Sequence, residues 1–279
     1  MSPPRSANSI AHLARITIYP IKSLHGVDVE HATLLPCGAL EHDRRFALFD
    51  RQGFVNGKRT NAVHRLRTSV DLAEDKLELT IGFGEPGEGA RIYRLDSDQT
   101  PLTARLREYF HLDESARLAE NVSGGFPDDI EAPGPTIVST ATLDCVAGWF
   151  PGLTVDEIRR RFRANLEIGG VEPFWEDRLY AEADQVVRFQ LGDAALEGVN
   201  PCRRCVVPTR DSLTGEVGDQ FAKQFAARRQ QSLPPWAARS RFDHFYRLAV
   251  NTRAPQGAAR CRIRVGSPLD ILGTFPKDF

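Results

Sequence analysis

Short β-rich segments separated by turn signals run through most of this 279-residue chain. In the first half they comprise residues 15–19, 27–35, 46–49, 68–72 and 76–81. Segments this short, with no regular alternation of strand and long helix, favour a barrel or sandwich over repeated βαβ units. We therefore expect a mainly β fold of the α+β class, with a few helices. One short helix is expected at 103–110 and a Gly/Pro/Glu loop at 82–89.

The best candidate for a linker is the segment SGGFPDDIEAPGP at 123–135, which contains three glycines and three prolines. It divides the chain into two expected domains, 1–125 and 126–279. After it we expect helices at 140–149, 155–162 and 220–231, the second with Thr154 and Glu157 at capping-box spacing. The expected strands are 164–168, 186–191, 194–199, 247–251 and 260–265, with a tight turn at Gly192 and Asp193.

Charge and hydropathy exclude several classes of protein. The 36 basic and 37 acidic residues give a net charge of -1, so no global basic field indicates a nucleic-acid partner. No apolar stretch approaches the roughly 18 residues needed to span a bilayer. Residues 1–12 have no apolar run of the kind that a signal peptide carries. We expect a cytoplasmic, reducing location, where a scaffold of disulfides is disfavoured.

Two of the five cysteines, Cys202 and Cys205, form a C-x-x-C motif in the segment PCRRCVVPTRDSLTGE. A structural zinc site usually has four ligands, and the chain has no second pair at a suitable spacing. A redox dithiol usually precedes a helix that lowers the thiol pKa, whereas Val-Val-Pro follows here. Two buried, inert thiols are a further alternative. The adjacent arginines argue against full burial. In addition, a thiolate beside fixed positive charge is typical of a reactive or metal-binding cysteine.

Five motifs in order carry a family resemblance: YPIKS at 19–23, HDRRF at 42–46, FRANL at 162–166, PFWED at 173–177 and the cysteine segment. Together they resemble MOSC-domain proteins with an N-terminal MOSC β-barrel, similar to the mitochondrial amidoxime-reducing component and its bacterial counterparts. The resemblance covers approximately residues 15–272. It implies an N-terminal β-barrel-like domain followed by a β-barrel MOSC domain.

The resemblance also implies a molybdenum cofactor, in which a phosphate-bearing pterin dithiolene holds the metal. Cys205 matches the cysteine that is the metal ligand and catalytic residue, and Cys202 matches a neighbour that is not a ligand. The matched cofactor-binding positions are Lys22, Ser23, Arg44, Arg163, Asn165 and Arg204. Arginine forks suit a phosphate, and an asparagine amide suits a pterin edge.

Two further pairs carry open alternatives. Ser139 and Thr140 match a helix start near the pterin, where free N–H groups would favour an anion. The alternative of a plain helix N-cap is favoured. Glu176 and Asp177 could relay protons near a metal, but the interpretation that they anchor arginines or cap a turn is favoured. Arg203 departs from the small serine of animal relatives, which could change access to the metal or add a phosphate contact.

The resemblance predicts a molybdenum-dependent oxidoreductase that reduces N-hydroxylated or related oxygenated small molecules. No flavin, haem or iron–sulfur motif is recognisable, so electrons would come from a separate ferredoxin-like protein or a cytochrome or flavin reductase. The alternative is a non-catalytic carrier of the cofactor or of sulfur, with a persulfide on Cys205. A family member that binds no metal is a third alternative, disfavoured because five matched residues occur together: Lys22, Arg44, Arg163, Asn165 and Cys205.

Overall fold

The structure, a computed structural model, describes residues 10–72, 77–82 and 89–277. Three sequence predictions fall wholly or partly outside these residues. They concern the absence of an apolar run at 1–12, the β-rich segment at 76–81 and the loop at 82–89.

Strands dominate the first part of the chain. The two helices there each bury apolar side chains, Val63 in the first and Leu102 and Leu106 in the second. The strands are β1 (His12–Ile18), β2 (Val27–Val29), β3 (His31–Leu34), β4 (Phe46–Asp50), β5 (Gly53–Phe54), β6 (Arg67–Asp71), β7 (Glu78–Gly82), β8 (Arg91–Arg94) and β9 (Arg117–Glu120). The helices are α1 (Ala62–Arg65) and α2 (Gln99–Phe110).

The second part mixes strands with three further helices. The strands are β10 (Ile137–Ser139), β11 (Leu166–Gly169), β12 (Gln185–Leu191), β13 (Ala194–Arg203), β14 (Arg247–Arg253), β15 (Cys261–Arg264) and β16 (Leu269–Pro276). The helices are α3 (Thr140–Gly148), α4 (Val155–Phe162) and α5 (Phe221–Gln231), with 3-10 turns at Trp175–Leu179, Val207–Thr209 and Arg239–Arg241.

The largest sheet has eight strands in the order β16-β12-β13-β14-β10-β11-β1-β2. Strand β1 pairs antiparallel with β11 through Ile16 and Leu166, and β10 runs parallel to β11. Strand β3 pairs antiparallel with β15. Strand pairing therefore joins the segments on either side of residue 125. The division into domains 1–125 and 126–279 stays a prediction. The two parts of the chain share a hydrogen-bonded framework in which neither edge of β1 is left unpaired.

Three apolar clusters fill the interior. The first joins both parts, with Leu13 and Ile16 of β1 packed among Ile137, Leu166 and Phe189. The second is built entirely from the first part, around Phe46, Leu79 and Leu102. The third lies between α3, α4 and α5. Because α4 and α5 bury Phe162 and Phe225 there, the end of α4 is held firmly beside the site described below.

Most predicted elements form within a few residues of their expected bounds, which confirms a mainly β fold with few helices. Thr154 caps α4 by accepting the N–H of Glu157 at 3.1 Å, as predicted. The Glu157 carboxylate instead binds Ser212 and two arginines, so half of the capping box forms. The expected strand 27–35 is divided into β2 and β3. In the described part of the chain, α2 is the longest helix with 12 residues, and none is long and apolar enough to cross a membrane.

Candidate functional site

A cavity of about 1300 Å³ lies between the end of β1, the linker around residue 130, α4 and the end of β13. Six of the nine sequence-predicted site residues line it. Both parts of the chain contribute to this set, which consists of Lys22, Ser23, Arg44, Arg163, Arg204 and Cys205. The volume exceeds the roughly 300–1,000 Å³ of ordinary small-molecule pockets, so one cavity has room for a cofactor and a substrate together.

Lys22 reaches the cavity because β1 ends at Ile18 and the chain turns at Pro20 and Ser23. Proline has no N–H for a sheet ladder, and Ser23 has a left-handed φ of 76°. The ammonium of Lys22 donates to Phe126 O at 2.8 Å and to Asp128 Oδ1 at 2.7 Å. Burial lowers the pKa of Lys22, although Asp128 opposes this shift. Because the Asp128 side chain is 69% exposed, water screens the pair and leaves Lys22 available to a stronger anion.

Arg44 lies beside Lys22 on the next turn and also has a left-handed φ, of 48°. Its backbone N–H donates to Tyr19 O at 2.7 Å, which fixes the turn against the end of β1. Its guanidinium forms an ion pair with Asp43. Burial works to lower the pKa of Arg44, but Asp43 and Asp128 outweigh burial and the net shift is upward. Arg44 is therefore a permanent cation at this side of the cavity.

Asn165 does not line the cavity but supports it from behind. The side chain is 1% exposed. Its amide nitrogen donates to Thr17 O at 3.1 Å and to Asp43 Oδ1 at 3.0 Å, and its oxygen accepts from Arg44 at 3.4 Å. Asn165 thus orients the Asp43–Arg44 pair, which is a different task from the pterin contact that the resemblance implies.

Arg163 is the C-cap residue of α4, and its left-handed φ of 54° turns the chain back toward β11. The guanidinium lies 4.1 Å from the centre of the Tyr19 ring, a cation–π contact. Among the described residues it forms no hydrogen bond and no ion pair. Burial lowers the pKa of Arg163, with Arg44 acting in the same direction. This uncompensated cation is the strongest single sign that the cavity receives an anion.

The cysteine pair lies at the end of β13. Arg204 Nη1 donates to Cys202 Sγ at 3.1 Å, its Nη2 donates to Phe162 O, and its buried Nε has no partner among the described residues. Cys205 lies beyond the strand, where the Val207 N–H donates to its sulfur at 3.5 Å. The two cysteines therefore make different contacts, Cys202 with a guanidinium and Cys205 with a backbone N–H.

All five cysteines are free thiols. Arg203 also belongs to the cavity lining; its Nε donates to His244 Nε2 at 2.8 Å, and its side chain is 69% exposed. Over the part of the chain that the structure describes, no group of three or more His, Cys, Asp or Glu side chains is arranged to hold a metal ion.

Ser139 and Thr140 lie outside the cavity lining. Ser139 is the N-cap of α3, where its hydroxyl accepts the N–H of Thr142 at 3.0 Å. The carboxylate of Glu176 accepts from the Ser139 N–H at 3.2 Å and from the Thr142 hydroxyl at 2.9 Å. The Ser139 N–H and the Thr142 N–H and hydroxyl at the start of α3 are therefore hydrogen-bonded within the fold.

Asp177 is likewise buried away from the cavity and pairs with the buried Arg229 of α5. Burial, together with the charge of Asp177, raises the pKa of Glu176 to about 7. These contacts agree with the interpretation that Glu176 and Asp177 anchor an arginine and a helix start.

The lining residues fit a pterin cofactor that carries a phosphate. The lining that contains Cys205 also contains four cationic side chains: Lys22, Arg44, Arg163 and Arg204. Among the described residues, the buried Arg204 Nε and the Arg163 guanidinium are hydrogen-bond donors without an acceptor. Arginine and thiolate are suited to phosphate and to a soft metal respectively.

The basic lining residues that the sequence interpretation missed include four that contact one another's segments: His25, His64, Arg67 and Arg210. They come from three separate segments, and the docking of α1 against the loop at 210–216 brings them together. Arg210 donates to the Asn61 side chain, and Arg67 donates to Leu213 O at 3.3 Å. A partial signal was present, because Arg210 belongs to the RDSLTGE stretch of the cysteine motif.

Comparison with known families agrees with this geometry. Residues 10–120 match the MOSC N-terminal beta barrel domain, and residues 136–270 match the MOSC domain. No curated protein matches the chain. The unmatched segment between the two matches contains the linker that forms one wall of the cavity. MOSC domains are associated with binding of the molybdenum cofactor. The chain is a member of the MOSC-domain family, with an N-terminal MOSC beta barrel domain preceding the MOSC domain.

Proposed function

We propose that the chain binds a molybdenum–pterin cofactor in the cavity, with Cys205 as the metal ligand, and reduces N-hydroxylated or related oxygenated small molecules. One observation carries the proposal. The half-buried Cys205 thiol lines the same cavity as Lys22, Arg44, Arg163 and Arg204. A single thiolate among arginines suits a metal that brings its own organic ligand, whereas a protein-only metal cage needs several side-chain ligands.

The side chains divide the work of holding the cofactor. Lys22, Ser23 and Arg44 would bind its phosphate, because two of them are cationic and their turn is fixed to the end of β1. Arg163 and Arg204 would contact the pterin, with their planes held by the Tyr19 ring and by Phe162 O. Ser139 and Thr140 lie outside the cavity lining, at the start of α3, which Ser139 caps.

When bound, such a cofactor supplies a metal centre that exchanges two electrons with a substrate. In the overall reaction an amidoxime takes up two electrons and two protons, the N–O bond breaks, and an amidine and water leave. The electrons come from a separate redox protein, ferredoxin-like or a cytochrome or flavin reductase. The protein contributes a preformed cationic cavity, whose charges are in place before the substrate arrives.

Metal content tests the ligand assignment. We expect about one molybdenum per chain in protein made by a cofactor-producing host, and a near-complete loss in Cys205→Ser, because the serine hydroxyl is a hard, neutral ligand. Cys261→Ser is the matched control, since Cys261 is a free thiol on β15 outside the cavity lining. Full metal content in Cys205→Ser would refute the assignment.

Turnover separates the reductase from the carrier. Metal-loaded protein is supplied with a reduced artificial electron donor and an aromatic amidoxime, and amidine formation is followed. A reductase forms amidine in proportion to its molybdenum content. Loaded protein that forms no amidine, yet transfers its cofactor to a cofactor-free acceptor enzyme, would identify a carrier.

A further inference from the structure

We propose that the cavity contains a second anion-binding region, formed by His25, His64, Arg67 and Arg210, which binds a carboxylate or phosphate group of the substrate. We call these four residues the distal basic cluster. The inference rests on the proposed function and deepens it, because it makes anionic N-oxygenated compounds the preferred substrate class. The cluster is separate from the Lys22, Ser23 and Arg44 group assigned to the cofactor phosphate.

Contacts hold the distal basic cluster together at one end of the cavity. The Thr68 N–H donates to His25 Nδ1 at 3.4 Å, and Arg67 donates to His64 O at 3.0 Å. Arg67 also donates to Leu213 O at 3.3 Å, which joins β6 to the loop that carries Arg210. Arg210 in turn donates to the side-chain oxygen of Asn61, the residue before α1. All four members line the cavity.

The charge of this region is not balanced by acids. The lining of the whole cavity has twelve Lys and Arg residues and five Asp and Glu residues. Those five acids lie elsewhere: Asp28 and Asp43 pair with Arg15 and Arg44, Asp128 pairs with Lys22, and Glu131 pairs with Lys277. Asp129 accepts from Asn251.

Near the distal basic cluster, Glu157 and Asp211 interact with Arg160 and Arg161 instead. In the described ranges, Arg67 and Arg210 bind backbone carbonyls and an amide but no carboxylate. The Nε–H of Arg210 is buried without a partner. The cluster thus offers charge and an unused donor, both of which an anionic oxygen would satisfy.

The two histidines respond to this unbalanced charge. Burial, together with the charges of the nearby Arg163, Arg67 and Arg160, lowers the pKa of His25 to about 4. Burial also lowers the pKa of His64. Because His25 Nδ1 accepts the Thr68 N–H, the neutral ring carries its proton on Nε2 and can donate to an anion. A bound carboxylate would oppose the arginine charges and raise the pKa of His25.

The position of the cluster suits a substrate better than a cofactor. Arg163 is near both regions, since its guanidinium contacts Tyr19, whose carbonyl binds the Arg44 N–H, and its charge acts on His25. Cys205 and Arg204 line the same cavity as Arg210. A molecule whose N–O group meets the metal at Cys205 could therefore extend an anionic group toward Arg67 and Arg210.

Binding measurements without an electron donor test the inference apart from turnover. The probes are a neutral aromatic amidoxime and the same compound with a para carboxylate, and the protein is wild type with its cofactor bound. We expect the carboxylated probe to bind about tenfold more tightly, because charge-assisted hydrogen bonds are the stronger kind. Arg67→Gln combined with Arg210→Gln should abolish the preference, whereas Arg262→Gln, an exposed site on β15, should keep it. Equal affinities in the wild type would overturn the inference.

Cofactor content identifies the anion that the cluster serves. If the double variant loses molybdenum and pterin, the cluster holds the cofactor's own phosphate and the inference fails. If Lys22→Gln, and not the double variant, removes the preference for the carboxylated probe, the inference fails as well. Turnover of the neutral probe by the wild type, measured separately, reports on the proposed function itself.

A measurement on the wild type covers the case in which the double variant does not fold. The ring signals of His25 are titrated by NMR with each probe bound. The carboxylated probe should raise the pKa of His25 by about one unit or more relative to the neutral probe. The signals of His31, exposed on β3 outside the cavity lining, serve as the control. An unchanged His25 titration would overturn the inference.

Discussion

Arg204 Nη1 lies 3.1 Å from the sulfur of Cys202, so the first cysteine of the PCRRC motif accepts a hydrogen bond from the arginine beside the second. The same guanidinium is held by Phe162 O at the end of α4. The two cysteines therefore have different tasks. Both cysteines line the cavity, but Cys202 accepts from the cationic side chain of Arg204, whereas Cys205 accepts from the backbone N–H of Val207.

This difference predicts an order among cysteine variants. Cys202→Ser keeps an acceptor for Arg204 and should retain its molybdenum. Cys202→Ala removes the acceptor and should weaken cofactor binding by about 1 kcal/mol, or several-fold, the usual net value of one hydrogen bond. Cofactor affinity, followed by pterin fluorescence during chelator-driven release, measures the effect. Equal loss in Cys202→Ser and Cys205→Ser would contradict the assignment of separate tasks.

Asn165→Ala should lower both stability and cofactor content. The substitution removes the hydrogen bonds that Asn165 makes with Asp43, Thr17 O and Arg44, which we expect to cost about 2–3 kcal/mol of unfolding free energy. Denaturant unfolding and metal analysis measure the two effects. Asn121→Ala is the control, because Asn121 makes local turn contacts outside the cavity lining. A stable Asn165→Ala protein with full cofactor content would refute the positioning role.

Glu176 should make stability fall as pH rises. Its pKa is raised from 4.5 to about 7 in the folded protein, so the folded state binds more protons than the unfolded state between these values. The free energy of unfolding should therefore decrease by about 2–3 kcal/mol from pH 4.5 to pH 8 through this group.

Substitution isolates the contribution of Glu176 from that of other titrating groups. Glu176→Gln keeps an acceptor for Ser139 and Thr142 but cannot ionise, so its stability should fall less over the same pH range. Unfolding in guanidinium chloride at several pH values makes the comparison, with exposed Glu114→Gln as the control. Parallel pH profiles for wild type and Glu176→Gln would show that the carboxyl does not titrate in this range.

Arg229 should be needed for stability but not for cofactor contacts. It is 1% exposed, pairs with Asp177, and lies 4.3 Å from the Phe174 ring centre. Arg229→Ala leaves a buried, unpaired carboxylate and should cost about 3–5 kcal/mol of unfolding free energy. Arg228→Ala, on the exposed face of the same helix, should cost little. A double variant, Arg229→Met with Asp177→Asn, should recover much of the loss, and failure to recover would point to a role beyond charge pairing.

Local signals in the sequence were sufficient for most elements. Helix α4 was predictable because Thr154 caps it and its apolar spacing buries Ile158 and Phe162. The β12–β13 hairpin was predictable from its alternating pattern and the Gly192 turn. Strand β16 escaped prediction because much of it is exposed at a sheet edge, and exposed edge strands carry a weak hydrophobic signal.

For the candidate site too, the sequence predicted some features and the tertiary structure decided others. Lys22, Arg44, Arg163 and Cys205 could be named because each lies in a recognisable motif, and all four line the cavity. Asn165 also lies in a motif, yet its side chain points behind Arg44. That difference depends on which neighbours surround a side chain, and those neighbours belong to other segments of the chain.

By itself, the sequence determined the mainly β character, the family and the cationic motifs around Cys205, since each depends on residues near one another along the chain. Tertiary structure alone decided that β1 enters the sheet of the second part, that Glu176 ties down the start of α3, and that Arg67 and Arg210 meet at one end of the cavity. The physical reason is that unpaired charge, burial and donor satisfaction arise from contacts between distant segments, which no local pattern encodes.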